Sequence, residues 1–141
     1  MAKILCIGSD AGLLQTRKLV LEQTGAEVHS TKFEAGLTLL EAQYFDVVVL
    51  CHTLAERDTI HICKLLERFW PASQLVLVEE LAPTWLPTCN HDVTFPWRLG
   101  PLKFVQIIKG LLTNVISRRG KQAAFPLPRR AARTRALALV N

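Results

Sequence analysis

The sequence predicts an α/β fold, a doubly wound sheet of five parallel strands with helices on both faces. Two observations lead there. Short apolar runs alternate five times with stretches of helical periodicity along the 141 residues. The central runs are apolar at every position instead of every second one, as strands covered on both faces require.

Each element has its own signature. "KILCI" (3–7) is an apolar run that stops at Gly8, and Ser9 and Asp10 follow as helix N-cap types. Leu13, Leu14, Val20 and Leu21 line one face of a helix that ends at Gly25. "AEVHS" (26–30) reads as a second strand. Thr31 and Glu34 have capping-box spacing, and Phe33, Leu37 and Leu40 share the face of the next helix. Asp46 to Cys51 forms the third strand. Ile62, Leu65, Leu66 and Phe69 then make an apolar stripe that "WP" at 70–71 closes. "QLVLVE" (74–79) is the fourth strand. Pro83 and Pro87 shorten or break the helix after it. "DVTF" (92–95) is the fifth strand, Pro101 suits a first helical position, and Val105, Ile108, Leu112 and Val115 mark a last helix ending near Ser117.

Charge divides the chain in two. All 12 acids and 7 of the 17 basic residues precede position 93, and the remaining 10 bases follow it with no acid. Residues 1–117 therefore read as a folded body, and 118–141 as a basic tail, flexible or helical on binding. Arg118, Arg119, Lys121, Arg129, Arg130, Arg133 and Arg135 could meet nucleic acid or another polyanion through salt-dependent contacts. The plainer reading is a solvated tail. No apolar run approaches the roughly 20 residues of a membrane span. The N-terminus lacks a leader pattern, and the 4 cysteines show no CxxC pair. Reduced thiols and a cytoplasmic location are the expectation.

"LEQTGAEV", closing the first helix, and "FDVVVL", the third strand, resemble the receiver domain of two-component response regulators, over about residues 2–117. Leu21, Gly25 and Val28 fit its framework, as do Asp46, Asp58 and Pro96. The resemblance implies a flavodoxin-like topology and a bacterial-type signalling ancestry. It also implies a phosphoacceptor pocket beyond the carboxyl ends of the strands. At those positions this chain carries other residues. Gly8 and Ser9 replace the acidic pair that holds Mg²⁺, leaving Asp10 nearby. Cys51 replaces the phosphoacceptor aspartate. Glu79 stands at the Thr/Ser position, Phe95 at the Lys position, and Asp92 at the switch aromatic. Nothing there would neutralise a transferring phosphoryl group, so phosphorylation, a metal and a cofactor are not expected.

Several constellations remain. Cys51 could be a redox-sensing thiol at a strand end, although a facing Glu79 would raise its pKa; the plainer role is pocket filler. Cys51, His52, His61, Cys63, Cys89 and His91 match no zinc spacing. Cys51 and His52 are adjacent and diverge, so no catalytic pair and no enzyme is expected. Trp85 and Trp97, with Asp92, could anchor a protein partner or cap the core. The expected function is phosphorylation-independent signalling through protein contacts, with a homodimer possible and no membrane role. The alternatives are a nucleic-acid-associated regulator and a thiol switch.

Overall fold

The computed structural model describes residues 1–79 and 93–121, with side chains as far as Thr113. The elements are β1 (Lys3–Ile7), α1 (Ala11–Glu22), β2 (Glu27–Thr31), α2 (Phe33–Ala42), β3 (Val47–Leu50), α3 (Glu56–Phe69), β4 (Gln74–Glu79) and β5 (Val93–Pro96). A 3₁₀ turn at Trp97–Leu99 and α4 (Pro101–Lys121) complete them. The sheet runs β2-β1-β3-β4-β5, every pair parallel. This is the doubly wound five-stranded architecture that the apolar runs predict.

Alternation along the buried strands sorts their side chains into two layers. Ile4, Cys6, Val49, Cys51, Val76, Val78 and Phe95 face Leu14 and Leu21 of α1 and Phe104, Ile108 and Leu112 of α4. Leu5, Ile7, Val48, Leu50, Leu75 and Leu77 face Leu40 of α2 and Ile62, Cys63 and Leu66 of α3. Between the layers, Asp46 accepts a hydrogen bond at Oδ2 from the Lys3 amide at 2.8 Å, fastening the start of β3 to β1.

Local details differ from the sequence reading. The Thr31–Glu34 capping box does not form, because Thr31 pairs with Ile7 as the last residue of β2. Lys32 takes the N-cap position of α2 with no side-chain cap bond. Phe69 closes the α3 stripe but is 52% exposed. The last helix continues past Ser117 to Lys121, so the expected boundary between body and tail falls inside α4. Cys6 and Cys51 are free thiols. Cys63 is disulfide-bonded, which does not support the expectation of fully reduced thiols. No helix among the described residues is long and apolar enough to cross a membrane.

The expected broken helix with Pro83 and Pro87 lies outside the described residues. So do Trp85, Cys89, His91 and Asp92, and Arg129, Arg130, Arg133 and Arg135 of the tail. Arg118, Arg119 and Lys121 belong to the described backbone of α4.

Candidate functional site

The sheet order turns back between β1 and β3, and the crevice beyond their carboxyl ends is where such sheets bind ligands. Gly8 closes that crevice tightly. A Cβ there would come within 3.1 Å of Cys51 Cβ and of Thr53 Oγ1. The Ser9 amide donates to Thr53 Oγ1 at 2.9 Å, and Ser9 Oγ donates to the Thr53 carbonyl at 2.7 Å. Asp10 is the N-cap of α1, its Oδ1 accepting from the Leu13 amide at 3.0 Å. The two Ser9–Thr53 bonds latch the β1–α1 turn onto the loop after β3.

Beneath the latch lies a sulfur pair. The Cys51 amide donates to the Ile7 carbonyl at 2.9 Å, which continues the β1–β3 ladder one step past Leu50. Cys51 therefore points into the α1–α4 layer, as Cys6 does. Their Sγ atoms are 3.6 Å apart, with Cys6 at 0% and Cys51 at 3% exposure.

A buried arginine completes the group. Leu14, Arg17 and Leu21 occupy the inner face of α1, and Arg17 is 0% exposed. Its Nη2 lies 3.3 Å from His52 Nδ1. A guanidinium only donates, so Nδ1 accepts. Arg17 Cζ lies 4.6 Å from the ring centroid of Trp97, a cation–π contact. Nε and Nη1 are buried and have no hydrogen-bond partner among the described residues. No carboxylate among the described residues forms an ion pair with it.

The electrostatics of the two thiols follow from this. Hydrogen bonding from Cys6, then the charge of Arg17, outweighs burial and holds Cys51 down at about 7. Cys6 is pushed well up by its hydrogen bond with Cys51 and by burial. The arrangement can hold one thiolate against a cation with a second thiol in contact.

Glu79 does not raise the Cys51 pKa as expected. Cys51 lies one step past the Leu50–Leu77 pair, level with Val78, and alternation turns Glu79 to the opposite face. Burial lifts the Glu79 carboxyl itself. Phe95 is a core residue at 0% exposure, packed against Phe104 with centroids 5.0 Å apart. Trp97 turns inward, its ring 5.3 Å from that of Phe104 and beneath Arg17, so it caps the α1–α4 layer. His61 and Cys63 lie on α3, across the sheet from Cys51. Among the described residues no group of three or more His, Cys, Asp or Glu is gathered to hold a metal.

Sequence reasoning missed Arg17 and the pairing of Cys6 with Cys51. Signals existed for both. Arg17 stands three residues after Leu14 and four before Leu21, on the apolar stripe. Cys6 is the penultimate residue of its apolar run and Cys51 the last of its own, each just before a loop.

No family model and no curated protein matches the chain. Solved structures match its fold. A response regulator receiver domain protein (CheY-like) from Methanospirillum hungatei superposes with a TM-score of 0.72 at 19% identity, covering 84% of this chain and 98% of its own. The signal receiver domain of an HD domain-containing protein from Pseudomonas fluorescens gives 0.71 at 16%, covering 85% and 93%. A response regulator receiver domain protein from Clostridium thermocellum gives 0.64 at 18%, covering 85% and 98%. The chain thus has the flavodoxin-like receiver topology.

Proposed function

We propose that this chain is a signalling or regulatory protein that works by binding another protein through its receiver-type body, without being phosphorylated. The observation supporting this is Cys51, a thiol at the end of β3 where the receiver resemblance implies a phosphoacceptor carboxylate. Its surroundings suit the same reading. The residues of the β1–α1 turn do not fit a divalent cation: Gly8 and Ser9 offer no carboxylate, and the Asp10 carboxylate is engaged as a helix cap. The buried charge acting on Cys51 is already the cation of Arg17, bonded to the adjacent His52. No catalytic role is proposed.

The test treats the full chain with acetyl phosphate and Mg²⁺ and reads intact mass, alongside affinity capture with and without nuclease. The expected result is no phosphoryl adduct and a protein partner captured equally well in either condition. A phosphoryl adduct would overturn the phosphorylation-independent reading. Capture abolished by nuclease would move the function to nucleic acid and the basic tail.

A further inference from the structure

Cys6, Cys51 and Arg17 form a group that partner binding does not use. Two thiols lie in sulfur contact at 3.6 Å, on neighbouring strands and on the same face of the sheet. The guanidinium, bonded to His52 next to Cys51, is fully buried, and among the described residues two of its nitrogen atoms have no hydrogen-bond partner and no carboxylate pairs with it. A buried cation without an anion is costly, and an anion forming next to it is favoured.

We propose that Cys51 is a peroxide-oxidisable thiol and Cys6 its resolving partner, with Arg17 positioned to hold the Cys51 thiolate. This stands independently of whether the body binds a protein. In the first step the Cys51 thiolate, its proton lost to solvent, attacks a hydroperoxide. The S–O bond forms, the O–O bond breaks, and the departing hydroxide (alkoxide for an organic peroxide) takes up a proton. Cys51 becomes a sulfenic acid. In the second step the Cys6 sulfur attacks the Cys51 sulfur. The S–S bond forms, the S–O bond breaks, and water leaves with the proton from Cys6. Two thiols lose two electrons, and with hydrogen peroxide two molecules of water result.

The geometry suits each role. Cys51 lies just past the carboxyl end of β3, directly under the Gly8 turn, and at 3% exposure is the nearer of the pair to solvent. Cys6 lies deeper, and its contact with Cys51 together with burial raises its pKa, so it is the thiol that keeps its proton. The sulfurs must close from 3.6 Å to about 2 Å, which carries the strand ends toward each other. The groups facing Cys51 among the described residues are Cys6 from β1 and Arg17 from α1, with Phe95 and Phe104 uncharged in the same layer.

The experiment exposes the full chain to hydrogen peroxide, quenches with an alkylating agent and maps peptides by mass spectrometry. The expected product is a Cys6–Cys51 disulfide, 2 Da lighter and reversed by dithiothreitol. Cys6→Ser should stop at a Cys51 sulfenic acid trapped by dimedone. Arg17→Met should slow the first step at pH 7 by roughly tenfold, with the rate midpoint moving upward in pH. Circular dichroism checks that each variant is folded. Cys51 reacting no faster than free cysteine, or oxidising without ever joining Cys6, would overturn the proposal. A Cys6→Ser chain that folds yet shows the same products as the parent would do so too.

Discussion

The guanidinium of Arg17 lies over the ring of Trp97, with Cζ 4.6 Å from the centroid, and through it α1 is joined to the turn that leads into α4. A charge placed in a core layer is tolerated here because an aromatic face stands on one side and an imidazole nitrogen on another. Trp97→Ala removes the ring from beneath the charge and from Phe104. Chemical denaturation should report a loss of about 2 kcal/mol, below the range for a fully buried Trp because Trp97 is half-buried.

Arg17→Met should behave differently. Its stem keeps the packing, while a desolvated charge and two nitrogen atoms with no partner among the described residues disappear. Stability in urea at pH 6 is expected within about 1 kcal/mol of the parent, because relief of desolvation offsets the lost cation–π contact. A loss of several kcal/mol would mean the charge is better compensated than its contacts indicate.

Stability should depend on pH through the thiols. Cys51 is lowered from 9.0 to about 7 in the folded chain. Between those values the unfolded chain binds the extra proton, so stability rises as pH goes from about 7 to about 9 and is lost again as pH falls through 7. Cys6 is raised, so above pH 9.0 its ionisation in the unfolded chain reverses the trend. Urea titrations across this window should trace the rise and fall. Cys51→Ser should abolish the rise.

Asp10 tests whether the β1–α1 turn is held as a helix cap. Asp10→Ala should cost about 1 kcal/mol by leaving the Leu13 amide without its side-chain acceptor. Asp10→Asn should retain most of that, since an amide oxygen caps as well as a carboxylate. Thermal denaturation of the two variants separates capping from any need for charge.

Asp46 is the corresponding test at the other end of the sheet. It is 1% exposed, and its Oδ2 receives the Lys3 amide at 2.8 Å. Asp46→Ala strands that amide and should cost about 2–3 kcal/mol in denaturant unfolding. Cys51 reactivity should remain unchanged in the folded variant, because Asp46 precedes β3 and Cys51 follows it.

By itself the sequence determined the architecture. Continuous apolar runs such as Val47–Leu50 can be satisfied only between two covering layers, and helical stripes such as Ile62–Leu66 supply the cover. It also marked the strand ends where Gly8, Ser9 and Cys51 meet, because topology alone places those ends together. The tertiary structure decided what the strand-end group is. Whether Cys51 meets Glu79 or Cys6 depends on a one-residue register, since successive side chains on a strand face opposite ways. The same holds for Arg17: a periodic stripe reveals that it faces inward, but only the packing of α1 against the turn at Trp97 and against His52 shows what receives its charge. Contacts between residues 35 or 45 positions apart, as for Arg17–His52 and Cys6–Cys51, arise from register and packing, which no local pattern encodes.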